Sequence, residues 1–367
     1  MLPIATTDDL GAIKVADDFQ VDENGVLHAS YIQVGSHAPN PGNPAAGQSI
    51  AIGPGADATG VSSISIGLGA QAVDDAIAIG TQALVTANSA IAISTQKTGG
   101  SHAVSGNAAV GIGAIAAVSG DNSIAVGTSA STTANETIAL GLNALAGGTS
   151  GVAIGSAASA AESSVAVGTS ASTIHGKCIA LGAFAESTLY GTAIGFTAAA
   201  RATGAVAFGG FASAGSLFTS AIGYGASVSE GNSVAFGSFA QVKRGDSVAL
   251  GNQAKVREIY SVALGYNSQV TGTKSVALGC NTQVTAESSV ALGFGTVCDQ
   301  VGVVAVGTRR IVDVVDGTSS TDAVTLNQLN NVASRYEAMF AEQERRLAQM
   351  EADHASLRTE LDALKKR

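Results

Sequence analysis

Among 367 residues there is no tryptophan, and there are only five prolines, three cysteines and 13% charged residues. Each scarcity excludes something. Lys and Arg number 18 against 28 Asp and Glu, a formal net charge of −10. A nucleic-acid binder needs a basic stripe, and an anionic membrane surface would repel this chain. Cys178, Cys280 and Cys298 lie far apart and form no CxxC pair. They read as small buried hydrophobes in a chain folded under reducing conditions, not as a disulfide framework or a thiolate metal site. No apolar run reaches the length of about eighteen residues that a membrane helix needs, so no membrane insertion is expected. Met1 to Asp9 carry neither a basic region nor an apolar run, so no signal peptide is expected, and the charged last residues offer no outer-membrane barrel strand. No P-loop, GxSxG or HExxH occurs. His28, His37, His102, His175 and His354 have no metal-ligand spacing. The sequence predicts no enzyme, no catalytic residue and no cofactor.

What the chain has in abundance is glycine, 46 residues of it, in a fixed rhythm. The phrase Ser-Val-Ala-Leu-Gly closes on Gly265, Gly279 and Gly293, fourteen residues apart. The same spacing, with occasional steps of thirteen, runs back through Gly251, Gly237, Gly223, Gly209, Gly195, Gly182, Gly168, Gly155, Gly141, Gly127 and Gly113. After one break it resumes at Ser94, where Ser replaces Gly, then Gly80, Gly67 and Gly53; forward it reaches Gly307. A short fixed period marks a solenoid whose units must stack because none can bury a face alone. Fourteen residues are too few for a helix pair but enough for two short strands and two tight turns. Val262-Ala263-Leu264 reads as a strand with its large residues on one face and Ala263 on the other, where only a small side chain fits. The second strand, as in Ala240-Gln241-Val242, Ala254-Lys255-Val256 and Ser268-Gln269-Val270, turns its middle residue to solvent and places Cys298 inward. The phrase glycine marks a turn with positive φ or a backbone approach too close for a Cβ. A second turn falls near Gly231, Gly245 and Gly272. About nineteen such coils, each ~4.8 Å thick, make a rod near 90 Å long.

After Gly307 the pattern changes. From Leu326 the periodicity is helical: Leu326, Leu329, Ala333, Tyr336, Phe340, Gln343, Leu347, Met350, His354, Leu357, Leu361 and Leu364 alternate three and four apart. That is the a/d seam of a coiled coil about 58 Å long. Gln343 and His354 interrupt it and meet their own copies in a symmetric coil, setting register; an axial ion there is the alternative. At the other end, Ala5 to Ser30 reads as a small β module with a turn at Asp22 to Gly25. Residues 35–48 read as a linker or cap. The expected organisation is therefore 1–34, 35–48, the β repeats at 49–308, a segment at 309–325, and the coil at 326–367.

Candidate contacts are fewer. Acidic residues recur in turns, at Asp121, Glu136, Glu162, Glu230, Asp246, Glu258 and Glu287, but are interleaved with Thr, Asn and Lys, so they read as a solvated face. The longest break in the repeat, Thr95 to Ala108, is an inserted loop carrying Lys97 and His102. Aromatics collect just past the phrase glycine: Phe196, Tyr224, Tyr266 and Phe294 at the next residue, Phe184, Phe211 and Phe239 one further. They either pack against a neighbouring chain or form an exposed row that stacks on sugars.

The "SVALG" repeats resemble the head of trimeric autotransporter adhesins of the YadA type. Asp322, Ala323, Val324 and Gln328, with Leu329, resemble the neck of the same family. The resemblance implies a left-handed parallel β-roll, one repeat per coil, in a homotrimer whose neck leads three rolls into a three-stranded coil. Leu10 to Val15 and Val21 to Leu27 resemble a short module of bacteriophage tail fibres. Together these imply a virion tail fibre, assembled in the host cytoplasm. Its expected partners are itself, other tail or baseplate proteins, and a host cell-surface glycan or protein. The rivals are a bacterial trimeric surface adhesin and a glycan-cleaving tail spike.

Overall fold

The computed structural model describes residues 49–53, 55–95 and 103–366, together with the backbone of three short strands, Phe19–Val21, Leu27–Ala29 and Gln33–Val34. The chain divides into two units, Met1–Gly307 and Thr308–Arg367.

The first unit is a parallel β-solenoid of about 18 turns. Three-residue strands, from Ile50–Ile52 through Val262–Leu264 to Val290–Leu292, stack with their successors in register; Val262, Ala263 and Leu264 face Val276, Ala277 and Leu278. Two-residue strands form a second sheet whose 14-stranded part runs from Ala117–Val118 to Val297–Cys298. The turns are laddered as well. Asn267 donates to the carbonyl of Asn252 at 2.9 Å, and Lys274 to that of Ile259 at 3.1 Å. The repeat thus satisfies its backbone from coil to coil, which lets so short a unit persist.

The period survives the inserted loop. Ile91–Ile93 pairs directly with Val110–Ile112, so the three-residue sheet skips no level across the insertion. Ser94, which stands in the phrase-glycine place, has no positive φ. Near the N-terminus, Phe19–Val21 and Leu27–Ala29 pair antiparallel, flanking the expected turn, and Gln33–Val34 pairs in parallel with Ala51–Ile52.

The core is thin. Ala263, Ala254 and Val256 point inward and are fully buried. The largest side chains wholly buried among the described residues are valine and threonine. Cys298 is buried at the inward position of its strand, as expected, and Cys178 is buried as well. Cys280 departs from the expectation of burial: it is half-exposed, because it occupies the turn just after Gly279 rather than a strand.

Serine, the first residue of the phrase, has a role of its own. Ser233, Ser247, Ser261, Ser275 and Ser289 form a buried column. Each hydroxyl accepts from the backbone N–H of the residue in the same place one coil on, at 3.2 Å from Ser247 to Ser233 and again from Ser275 to Ser261, and from Val303 at the end of the column. The Ser261 hydroxyl in turn donates to a turn carbonyl, with those of Ile259 and Gly272 both at 2.9 Å. Cys178 sits in this same column, its thiol 2.7 Å from the carbonyl of Thr188.

The second unit holds one helix, Leu326–Lys365, preceded by an ordered loop. At 40 residues it is about 60 Å long.

Candidate interaction surfaces

Since alanine fills the inside, the large residues of the phrase face out. Val262 and Leu264 lie half-buried on the outer face of the three-residue sheet, and so do their equivalents along the roll. Two apolar columns result. The one next to the phrase glycine includes Phe208, Ile222, Phe236, Leu250, Leu278 and Leu292, with Phe208 about half exposed at 51%. The outer face of the second sheet is mostly polar, with Leu145 and Val297 as exposed exceptions: Gln241, Lys255 and Gln269 stand between the inward residues of their strands, as expected. In cross-section the roll is amphipathic.

The aromatics past the phrase glycine line the edge between the sheets. Phe184, Phe196, Phe211, Tyr224 and Phe239 form an edge-to-face ladder with ring centroids 6.0, 5.3, 5.6 and 5.4 Å apart. The rings alternate between the first and second residue after glycine, one per coil, and the other residue of the pair is small: Ala183, Thr197, Gly210, Gly225 and Ser238. The small residues are the seats of the rings. A Cβ on Gly210 would lie 3.3 Å from the Tyr224 ring, and one on Gly225 would lie 2.9 Å from the Phe239 ring. Each of the five rings is about half exposed. Tyr266 and Phe294 lie further along the same edge, and Cys280 between them. On the opposite edge Tyr190, Phe218 and Tyr260 are exposed too, with the Lys177 ammonium 5.7 Å from the Tyr190 ring centre. The sequence signal for these was a large residue just before the first place of the phrase, held by Gly191, Thr219 and Ser261. Lys97 and His102 fall outside the described residues.

Several of the acidic turn residues join neighbouring coils. The Asp121 carboxylate accepts from the Asn107 backbone at 2.8 Å, Glu136 accepts from Ser150 at 3.2 Å, and Glu230 pairs with Arg244 at 3.0 Å. No group of three His, Cys, Asp or Glu side chains among the described residues is placed to hold a metal ion.

In the second unit the neck residues build the start of the helix. Thr325 is the N-cap: its hydroxyl accepts from the Gln328 N–H at 3.2 Å, and the Gln328 side chain accepts from the Thr325 N–H at 3.0 Å. This reciprocal pair is a capping box. Gln328 also clasps Gly317, accepting from its N–H and donating to its carbonyl, both at 2.9 Å. The Asp322 carboxylate accepts from the N–H groups of Ser319 and Thr318, each at 2.9 Å, and these bonds hold its pKa below the usual carboxylate value. Ala323 and Val324 are exposed. So are the seam residues: Leu326, Leu329, Tyr336, Phe340, Leu347, Met350, Leu357, Leu361 and Leu364 all lie more than half open on a helix with no buried residue. Gln343 and His354 share their face by heptad position. No helix among the described residues is long and apolar enough to cross a membrane.

The repeat has known relatives. The family model described as "YadA head domain repeat (2 copies)" matches residues 46–70, 74–93, 105–130, 119–144, 189–212, 218–240, 245–268 and 271–296. No curated protein matches. Among solved structures, the collagen-binding domain of the Yersinia adhesin YadA is similar at 19% identity, with 76% of this chain and 87% of that chain covered and a TM-score of 0.13. The family match falls on coils whose glycine period and laddered turns are described above, so much of the solenoid is built from repeats of the YadA head type.

Proposed function

We propose that three copies of this chain form an adhesive fibre, with rolls side by side and helices joined in a three-stranded coil. The observation that carries this is the amphipathic roll. Its two outward apolar columns extend over roughly 90 Å and cover on the order of 900 Å², more than the largest apolar patch of a typical monomer. That area also suits one side of a stable protein interface. The helix argues alike, because a 40-residue helix with an open a/d seam depends on a partner. The neck resemblance supports three strands over two or four.

The fibre works by contact, without a reaction or a cofactor. Several acidic side chains of the turns, among them Asp121 and Glu230, are engaged in coil-to-coil bonds, which supports this reading over a glycan-cleaving one. Its ligand is a glycan or protein of a host cell surface. The tail-fibre wording near the N-terminus favours a bacteriophage particle as its carrier, attached through that end to tail or baseplate proteins. Light scattering on the full chain tests the assembly: a mass of three chains is expected, and one or two would refute it. Immunogold labelling of phage particles from the source host tests the carrier. Label confined to the bacterial surface would return the chain to the bacterial adhesins.

A further inference from the structure

We infer that the aromatic row Phe184, Phe196, Phe211, Tyr224 and Phe239 is a chain-to-chain seam, covered in the assembled fibre by a second copy of this chain. The inference rests on the trimer reading and goes beyond it by assigning a contact to one edge of a limited set of coils.

The first argument is continuity. The row is separated from an outward apolar column by the phrase glycine alone at Phe196 and Tyr224, and by the glycine and one small residue at Phe184, Phe211 and Phe239. In these coils that column itself turns aromatic, at Phe208 and Phe236, each about half exposed. One apolar surface therefore wraps from the sheet face onto the edge.

The second argument is conformational. Phe184, Phe211 and Phe239 occupy left-handed backbone, with φ of 59°, 58° and 56°. Elsewhere the same slot holds Ser129, Asn143, Ser170, Gln253, Asn267 and Asn281, also left-handed. Asparagine visits that region readily, whereas a bulky ring there is strained. Half of each ring is open in the single chain, so intrachain packing alone uses only part of what the strained placement makes available.

The third argument chooses the occupant. Successive rings meet at 77° to 88°, so they offer edges and faces in turn rather than coplanar faces. A sugar chain stacks on flat faces. A corrugated row instead suits interdigitation with a second apolar side-chain surface, and the outward columns of a neighbouring roll supply one.

The test uses the full chain with a photoreactive p-benzoylphenylalanine in place of Phe211, and a control with the same group in place of Gln269 on the polar sheet. Light scattering is read alongside. A three-chain mass with chain-to-chain adducts from position 211, at least tenfold more abundant than from position 269, is the expected result. A three-chain mass with no such excess would overturn the seam while leaving the trimer standing, and the row would then be free for an outside ligand such as a glycan. A one-chain mass would overturn the trimer reading and this inference with it. The triple variant F184N/F211N/F239N installs the residue that the roll already carries at 143, 267 and 281. It should retain the roll's circular dichroism and melt several degrees below the parent; an unchanged melting point would also overturn the seam.

Discussion

Replacing Gly265 with alanine tests whether the stacking of coils, rather than local turn preference, fixes the glycine of the phrase. Gly265 has φ of 132°, in a region essentially reserved for glycine, where a side chain costs about 1–3 kcal/mol. Its added Cβ would stand 2.4 Å from the carbonyl oxygen of Gly279, the equivalent residue one coil on. Relief demands about 1 Å of separation between coils. The coils are tied on both sides of the clash, by the Gly265 N–H to Leu250 and the Gly279 N–H to Leu264, each at 2.8 Å. Stretching such bonds forfeits about 0.5–1.5 kcal/mol apiece. The combined cost is about 3–5 kcal/mol, or roughly 10 °C in melting temperature for a chain of this size. Gly295 is the control. Its φ is 67°, a region that the roll fills with Ser, Asn and Phe, and an added Cβ there meets nothing within 4 Å. Gly295→Ala should therefore cost about 1 kcal/mol or less. The assay is thermal melting followed by circular dichroism, with amide exchange mapped along the chain. Equal melting of the two variants would refute the stacking argument, since only the Cβ added at Gly265 meets the next coil.

Three further outcomes are expected. Thr132→Val should raise stability by about 1–2 kcal/mol, because the Thr132 hydroxyl is buried without a partner among the described residues, in a column where Val118 also sits; a lower melting point would show that the hydroxyl is satisfied. Gln328→Ala should speed amide exchange at Gly317 and Thr325 at least tenfold, since one side chain serves both N–H groups, and unchanged rates would dissociate Gln328 from the order of the neck. For Asp322 the folded pKa lies below the unfolded one. Its contribution is thus complete above about pH 4 and lost as pH falls through the lower folded value. Protection of the Thr318 and Ser319 amides should fall in that acid range, and Asp322→Asn should remove the pH dependence.

Much of the roll was legible from periodicity. The glycine spacing gave the coil, the alternation in Ala254-Lys255-Val256 gave the second strand with its outward lysine, and Leu326 onward gave the helix. Other features were hidden for identifiable reasons. Val262-Ala263-Leu264 specifies two faces but not which is inside. Burial preference alone would turn the valine and leucine inward, and only the width of the coil, already taken up by inward residues of the second strand such as Val256, turns them out. The second turn lies where the sequence placed it, yet its left-handed residue is Asp246, Tyr260 or Lys274, not the nearby glycines. Gly272 is required instead because a Cβ would lie 1.9 Å from the carbonyl of Ala286. The buried hydroxyl column was invisible because its bonds join residues fourteen apart, and serine in a turn is ordinarily a local bonder. At the candidate surface the aromatics were found, but not their zigzag. That order lies in the small partner beside each ring, such as Gly210 and Gly225, rather than in the rings themselves.

The arrangement of the roll has a thermodynamic consequence. Most solenoids keep their largest apolar residues inside. Here the interior holds alanine, serine and valine, while isoleucine, leucine and phenylalanine face out. Hydrophobic stabilisation scales with apolar area removed from water, so an alanine core contributes little per coil and the greater share remains on the surface until copies meet. The helix is in the same position, with its seam wholly unburied. Folding and association should therefore be one transition. For three unfolded chains forming one folded trimer, each tenfold rise in chain concentration should add about 2.8 kcal/mol of trimer to the apparent stability. Denaturant midpoints measured over a hundredfold range of concentration, by circular dichroism for the roll and the helix together, should move upward in step. A midpoint independent of concentration would mean that the single roll is stable alone, and that its outward columns are not what holds the fold together.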